Sequence, residues 1–406
     1  MSRFILQPSA VTGKPSKYTT ETNLVHADEF LNEVNDVAPP IHVSTTYRYP
    51  RDPSKLVAAK DLPIEDADSH VYSRLSSPST ARLEAILSSH LNGYALVYSS
   101  GVAAFHAALV HLNPRKLSGS LFYHGCHGVA DIHSRLTGMK QIPLDCPVED
   151  LQPGDVVHLE TPLNPLGTAF DIKYYADRAH SRGAILIVDS TFAPPPLQDP
   201  FEFGADIVMH SASKYIGGHS DVLAGVLVTK DLKTRWKLWE ERLYLGGVMG
   251  NLEAWLGTRS ARTLELRVLR QSDNATRLAG WLSEEIGKEG SLINGLVANV
   301  KHASLQKEEW VRKQMKGGFG PVFGIEMKSE ILAKTLPSHL ELFAHATSLG
   351  GVESLIEWRA MSDTDCPTTL LRLSIGVENW EDLKNDLLQA FEKLAKGEEV
   401  VLHGKY

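Results

Sequence analysis

The sequence contains few cysteines: only Cys126, Cys146 and Cys366 occur among its 406 residues, at no spacing typical of metal ligands. So few thiols argue against a disulfide-stabilised fold and favour a reducing compartment. The apolar run Phe4-Ile5-Leu6 is far too short for the core of a signal peptide. We therefore expect a cytoplasmic protein.

The sequence also lacks a basic tract, and its net charge of −8 does not favour nucleic acid as a partner. Residues 85–114 contain no Asp, Glu, Lys or Arg, which superficially suggests a membrane span. Turn formers at Asn92-Gly93 and Ser99-Ser100-Gly101 divide this stretch into pieces too short to cross a bilayer. We expect a buried strand followed by a buried helix, and neither nucleic acid nor membrane as a partner.

Between residues 71 and 265, short apolar runs alternate with helical patterns. This alternation predicts an α/β domain with a mostly parallel sheet that is covered on both faces. Residues 1–70 lack a strong period and predict an extended N-terminal arm that contacts a neighbouring subunit. Residues 266–406 predict a smaller C-terminal α+β domain. The predicted strands are 95–98, 156–159, 184–188, 207–209, 225–228, 322–327 and 369–375, and the predicted helices are 80–91, 102–112, 173–182, 252–286, 340–348 and 380–395.

The segment Ser211-Ala212-Ser213-Lys214 places a lysine after two hydroxyl side chains and before the turn Gly217-Gly218. Such an amine can form an imine with pyridoxal phosphate (PLP), and the hydroxyls can bind the phosphate. An ordinary surface lysine would explain this segment equally well. Asp189 favours the PLP interpretation, because a carboxylate must keep the ring nitrogen of that cofactor protonated. Asp189 ends the most apolar strand, where its alternative role is to cap the next helix.

Two more turns follow predicted strands, where the ligands of open α/β sheets bind. Ser99-Ser100-Gly101-Val102 opens a helix and suits a phosphate, although a simple helix cap would also explain it. Glu160-Thr161-Pro162-Leu163-Asn164-Pro165 either directs Asn164 at the ring or is only a tight turn. Together with Lys214 and Asp189, these turns predict a PLP site.

With these motifs in this order, the chain resembles the PLP-dependent enzymes of cysteine and methionine metabolism, which include cystathionine γ-synthase, the cystathionine lyases and methionine γ-lyase. The resemblance extends from Val25-His26-Ala27 to the segment Leu371–Gly376. It implies an α/β fold of the aspartate aminotransferase-like kind (type I PLP fold) and a small amino-acid substrate. It also implies dimers or tetramers with shared active sites.

The resemblance further implies a role for each matching residue. Lys214 would be the Schiff-base lysine and Asp189 the partner of the ring nitrogen. The phosphate would be bound by Ser211, Ser213, the N–H groups of Gly101 and Val102, and Tyr72 and Arg74 reaching across from a neighbouring subunit. His124 would stack on the ring, or Tyr123 if the alignment shifts by one residue. The substrate would contact Arg372, Ser354, Asn164 and Thr347.

Three departures from the family pattern concern the substrate. His124 stands where a tyrosine is usual. Thr347 replaces a glutamate that would recognise the distal amino group of cystathionine or cysteine. Glu357-Trp358-Arg359 replaces a run containing His-Pro. Arg359 either recognises a second carboxylate or is an exposed charge at the rim, and the rim interpretation is favoured.

We therefore expect γ-replacement on an O-acyl-L-homoserine through a vinylglycine-type intermediate, with a sulfur or carbon nucleophile other than cysteine. One alternative is γ-elimination, as in cystathionine or methionine γ-lyases. Another is a PLP-binding homologue that has lost catalysis. We expect no metal site, because the histidines have no spacing that demands one.

Overall fold

The computed structural model describes residues 18–32, 34–58, 70–119 and 122–398. Much of the predicted arm, residues 1–17 and 59–69, lies outside these ranges, as do the last eight residues of the predicted C-terminal domain, 399–406. The described part of the arm begins with helix α1 (Thr20–His26), which packs on α2 (Pro78–His90) and buries Leu24. The described part of the arm is thus anchored on its own chain by a short helix.

A seven-stranded sheet forms the centre of the large domain. Its strands are β1 (Tyr94–Tyr98), β2 (Lys116–Ser118), β3 (Lys140–Ile142), β4 (Val156–Glu160), β5 (Ile185–Asp189), β6 (Ile207–His210) and β7 (Gly225–Thr229). They lie in the order β1-β7-β6-β5-β4-β2-β3. The pairs from β6 to β3 are parallel, whereas β7 runs antiparallel to both β1 and β6. The predicted α/β fold with a mostly parallel sheet is confirmed.

Both faces of this sheet are buried, and its central strand β5 is apolar from Ile185 to Val188. Along β5, Leu186 and Val188 belong to one hydrophobic cluster, and Ile187 belongs to another. Alternate side chains point to opposite faces of a strand, so the two clusters lie on the two sides of the sheet. The helices of this part of the chain are α3 (Gly101–Leu112), α4 (His124–Thr137), α5 (Ile172–Ser181), α6 (Leu232–Leu245) and α7 (Asn251–Ala261).

The predicted helix 252–286 is two helices, because α8 (Leu264–Ile286) is separated from α7 by Arg262 and Thr263. Thr263 has φ −116° and ψ 11°, outside helical values. Arg262 turns towards the arm and pairs with the carboxylate of Asp28 at 2.7 Å. This contact with a distant segment explains why the local pattern did not predict the break.

A second sheet of five strands forms the C-terminal part. Its strands are β8 (Val297–Lys301), β9 (Val322–Met327), β10 (Ala344–His345), β11 (Leu355–Trp358) and β12 (Leu370–Ser374). They lie in the order β10-β11-β12-β9-β8, antiparallel except for the β10–β11 pair. The helices of this part are α9 (Leu292–Leu296), α10 (Glu309–Gln314), α11 (Glu330–Thr335) and α12 (Trp380–Lys396).

The predicted helix 340–348 is wrong. The Asp386 carboxylate on α12 accepts hydrogen bonds from the backbone N–H groups of Glu341 and Leu342, at 2.9 and 2.8 Å. The N–H groups of Ala344 and Ala346 then bond to carbonyls of Ser354 and Ile356. Backbone donors that a helix needs are taken by other segments, so this stretch forms strand β10 and a loop.

None of the helices in the described part of the chain combines the length and the apolar character needed to span a bilayer.

Candidate active site

The carboxyl ends of β4, β5 and β6 meet at a cavity of about 380 Å³, which residues 347–349, 359, 362 and 372 close from the C-terminal part. Parallel strands bring their ends to one edge of a sheet, where ligands of α/β proteins bind. Most of the predicted site residues line this cavity: Gly101, Val102, His124, Asn164, Asp189, Ser211, Ser213, Lys214, Thr347 and Arg372.

Asp189 is buried at the end of β5, and one oxygen of its carboxylate is held by Thr191. That oxygen, Oδ1, accepts bonds from the backbone N–H of Thr191, at 2.9 Å, and from its hydroxyl. Thr191 Oγ1 in turn accepts a bond from the N–H of Ser211 at 2.8 Å. Burial raises the pKa of Asp189 despite these bonds. Among the described residues no cation pairs with this carboxylate, so a protonated ring nitrogen in the cavity would be a suitable partner.

Lys214 points into the cavity and donates a hydrogen bond from Nζ to Ser348 Oγ at 2.8 Å. Burial, and then the positive charge of Arg372, lower the pKa of its amine to about 8. The backbone of Lys214 is approached so closely by Gly350, which has φ +85°, that a Cβ there would lie 2.9 Å from the Lys214 carbonyl carbon. Only glycine tolerates both conditions.

The predicted phosphate-binding residues lie together at the start of α3. Ser100 caps this helix by accepting the N–H of Ala103 at 3.1 Å, and the first turn leaves N–H groups that have no partner within the helix. Gly101 lies so close to Ser211 that a Cβ would be 3.2 Å from its hydroxyl oxygen. The helix terminus and this hydroxyl form a setting that suits a dianion. Ser213 differs, because its hydroxyl donates to the Ala224 carbonyl at 3.2 Å.

Arg372, on β12, is buried beside Lys214 and has three partners. Its guanidinium donates to Asn164 Oδ1 at 3.1 Å and to the Ser348 carbonyl at 2.7 Å. It also pairs with Glu357 Oε2 at 2.5 Å, across the register of β11 and β12. The predicted substrate contacts Asn164 and Arg372 therefore touch one another.

Arg359 is only 2% exposed, so its interpretation as an exposed rim charge is wrong. A short 3₁₀ turn, Arg359–Met361, follows β11 and directs this side chain back into the wall of the cavity. There it pairs with Glu357 at 2.8 Å and with Asp363 at 3.2 Å.

Ser354, Tyr72 and Arg74 lie outside the wall of the cavity. Ser354 is fully buried, where its hydroxyl donates to Glu378 at 2.9 Å and accepts the N–H of Gly376 at 2.9 Å. Tyr72 is 42% exposed, and the guanidinium of Arg74 stands 5.7 Å from the centre of its ring. Their predicted role in a neighbouring subunit stays a prediction.

Both candidates for ring stacking line the cavity. The rings of Tyr123 and His124 have centroids 4.3 Å apart at the start of α4. The choice between them therefore stays open.

The sequence analysis missed Ser348 and Glu160. Ser348 has φ +81°, and its hydroxyl is the partner of Lys214. The signal was the following pair Gly350-Gly351, which indicates a tight backbone approach. Glu160 ends β4 in register with Asp189 and accepts the N–H groups of Tyr123 and Asn164, both at 2.7 Å. Burial and the charge of Asp189 raise the pKa of the Glu160 carboxyl. The sequence signal for Glu160 was a second carboxylate at the end of a predicted strand.

Helix α8 bonds to the backbone on both sides of the cavity. Arg267 donates to the carbonyl of Tyr215, next to Lys214, at 2.7 Å. Gln271, one turn later, donates to the carbonyls of Gly351 and Ile375, at 2.6 and 3.1 Å. This helix thus fixes the turn that carries Lys214 relative to Gly351 and to the end of β12, the strand that carries Arg372.

The residues of this cavity fit PLP: a lysine amine of lowered pKa, a buried carboxylate without a cationic partner, and a helix terminus with a hydroxyl for a phosphate. No group of His, Cys, Asp and Glu side chains suited to a metal ion occurs in the described part of the chain.

Comparisons with known proteins agree with this fit. The family model "Cys/Met metabolism PLP-dependent enzyme" matches residues 21–392. The chain is 33% identical to the cystathionine gamma-lyase of Dictyostelium discoideum, over 94% of this chain and 99% of the relative. It is 37% identical to the cystathionine gamma-synthase of Mycobacterium bovis, over 79% of this chain and 85% of the relative. The solved structure of yeast cystathionine gamma-lyase superposes with a TM-score of 0.81 and 28% identity, covering 94% of this chain and 99% of that one. The chain therefore belongs to the PLP-dependent enzymes of cysteine and methionine metabolism, a family of lyases and synthases.

Proposed function

We propose that this enzyme catalyses γ-replacement on an O-acyl-L-homoserine with a nucleophile other than cysteine. The bound cofactor would supply an electron sink for charge that develops at the substrate carbons. Lys214 would remove and return protons, since an amine with a pKa of about 8 is readily neutral. Asp189 would hold the proton of the ring nitrogen, and Arg372 would bind the α-carboxylate.

The choice of nucleophile rests on the side of the cavity formed by the C-terminal part. Thr347 stands there without a charge, and Arg359 adds a buried cation. The nearby carboxylates of Glu357 and Asp363 are each paired with arginine. The ammonium group of cysteine would meet a cation and find no unpaired carboxylate on this side, which favours sulfide, a small thiol or the enolate of an oxo-acid.

The test is a competition among nucleophiles. Purified enzyme loaded with PLP is given O-acetyl-L-homoserine together with sulfide, methanethiol, a 2-oxo acid or cysteine, and the products are identified by mass. We expect replacement products with the first three to form faster than cystathionine. A Thr347→Glu variant is the matched comparison and should shift the preference towards cysteine. Cystathionine as the fastest product of the unaltered enzyme would refute the proposal.

The second candidate is γ-elimination, which the similarity to the γ-lyases of Dictyostelium discoideum and Fusobacterium nucleatum favours. Elimination releases 2-oxobutanoate and ammonia without an added nucleophile. Keto-acid release that proceeds at the same rate with and without nucleophiles would select this candidate over replacement.

We further propose dimers or tetramers in a cytoplasmic, reducing compartment, with Tyr72 and Arg74 reaching the phosphate of a neighbouring subunit. Both side chains lie away from the cavity of their own chain, and all three cysteines are free thiols. Light scattering measures the assembly, and a monomer with full activity would contradict it.

A further inference from the structure

Two arginines share one buried carboxylate at the wall of the active site. Glu357 Oε2 lies 2.5 Å from Arg372 and 2.8 Å from Arg359, while Oε1 accepts the hydroxyl of Ser362 at 2.6 Å. Burial opposes ionisation of Glu357, yet the two arginines and Ser362 hold its pKa below the ordinary value. Glu357 is therefore a carboxylate, and its charge is divided between two guanidinium groups.

The charge count explains what Arg359 adds. Glu357 and Arg372 alone would form a neutral pair, and a substrate carboxylate would have to compete with Glu357 for Arg372. With Arg359, the three side chains carry a net charge of +1. Asp363 also pairs with Arg359, at a longer 3.2 Å, but its side chain is 27% exposed, so solvent screens it more than the buried pairs.

We infer that Arg359 is a positioning residue that binds Glu357 and thereby leaves Arg372 with positive charge available for the α-carboxylate of the amino-acid substrate. The inference rests on the proposed role of Arg372 as the carboxylate-binding residue, but it applies equally to replacement and to elimination. Arg359 acts through Glu357, because its two terminal nitrogens are already bonded to Glu357 and Asp363.

The experiment measures ligand binding rather than turnover. L-Norvaline, which lacks a γ leaving group, is titrated into the PLP-loaded enzyme and binding is followed by cofactor absorbance. Its methyl ester, which lacks the carboxylate, is the matched ligand. We expect Arg359→Gln to weaken norvaline binding about tenfold or more, because a neighbouring unit charge is lost in a buried site. Binding of the ester should change less than about twofold.

Two further variants separate this role from a purely structural one. Arg359→Lys keeps the charge and should retain most of the affinity for norvaline. The double variant Glu357→Gln/Arg359→Gln removes both charges, so that Arg372 keeps its own, and should recover binding lost in Arg359→Gln. The double variant removes the Glu357 carboxylate together with the Arg359 charge, so it gives a second, independent reading if the single variant does not fold.

Unchanged norvaline binding in Arg359→Gln, or no recovery in the double variant, would overturn the inference. An effect confined to substrates with a second carboxylate would also overturn it, since Arg359 would then bind that carboxylate itself. O-Succinyl-homoserine has such a carboxylate and O-acetyl-homoserine lacks it. Failure of the proposed γ-replacement leaves these titrations unaffected, because norvaline undergoes no replacement.

Discussion

Replacing Arg372 by leucine should raise the pKa of Lys214 and make it a weaker nucleophile near neutral pH. Burial is the main cause of the lowered pKa, and the positive charge of Arg372 is the second. The substitution removes the second cause, while Glu357 remains paired with Arg359 at 2.8 Å and so is not left as an isolated buried charge.

The magnitude follows from the fraction of neutral amine. At pH 7, an amine with a pKa of about 8 is neutral in about one molecule in ten, whereas an amine at the ordinary 10.5 is neutral in roughly one in three thousand. Each unit by which the pKa rises in the variant therefore lowers the rate of imine formation about tenfold at pH 7.

The assay uses enzyme freed of cofactor. PLP is added between pH 6.5 and 10, the first-order rate of imine formation is read from absorbance, and the midpoint of the rate profile is compared between variants. We expect a midpoint near pH 8 in the unaltered protein and a higher one in Arg372→Leu. Arg372→Lys, which keeps the charge, is the control. Equal midpoints in Arg372→Leu and the unaltered protein would refute the electrostatic explanation.

The same lowered pKa affects the stability of the cofactor-free protein. Between pH 8 and 10.5 the unfolded chain binds more protons at Lys214 than the folded chain does, so this residue makes the free energy of unfolding rise with pH in that window. Below pH 8 the amine is protonated in both the folded and the unfolded chain, so the full free-energy cost of burying its charge is present. Lys214→Met should therefore stabilise the cofactor-free protein at pH 7 and reduce the slope between pH 8 and 10, as measured by urea unfolding.

Three further predictions concern other parts of the site and the core. Ser348→Ala removes the hydrogen-bond partner of Lys214 and should lower kcat about tenfold without loss of bound cofactor. Ser348→Gly, which suits φ +81°, is the control for backbone strain. An unchanged kcat in Ser348→Ala would contradict a role of this hydroxyl in holding Lys214. Mixing Arg74→Ala with Lys214→Ala subunits should restore about a quarter of the full activity if Arg74 acts across a dimer, and none if it acts within its own chain. Glu84→Ala leaves buried Arg242 and Arg235 without their carboxylate and should lower the free energy of unfolding by about 3–5 kcal/mol in urea titrations, whereas Asp177→Ala, in an exposed pair with Lys173, should cost less than about 1 kcal/mol.

The large domain and the cofactor side of the cavity could be predicted from the sequence, because they depend on local signals. Apolar strands that end in Asp189 or at the Lys214 turn meet at one edge of a parallel sheet, whatever lies between them. The substrate side depends on contacts between distant segments. Arg359 seemed exposed because its burial requires the turn after β11 and the pairing of Glu357 with Arg372. Ser354 was predicted because it matches a family residue beside the substrate. The hydroxyl that contacts Lys214 belongs instead to Ser348, on the other side of the glycine pair, where the backbone has a left-handed φ.

The two errors in helix assignment have the same origin. In residues 340–348, the carboxylate of Asp386 on a distant helix accepts backbone N–H groups that a helix would need. Between α7 and α8, the helix is interrupted where the side chain of Arg262 pairs with Asp28 of the arm. Neither partner lies near in the sequence, so no local pattern could identify it.

Helix α8 has a consequence for how enzymes on this frame acquire new substrates. Because Arg267 and Gln271 reach the two sides of the pocket through main-chain carbonyls, these contacts do not depend on which side chains line it. The spacing between the Lys214 amine and the Arg372 guanidinium is therefore set by the main chain, and a wall residue such as Thr347 can be exchanged without altering it. Divergence of this kind requires exchanges of side chains, with no rebuilding of the backbone.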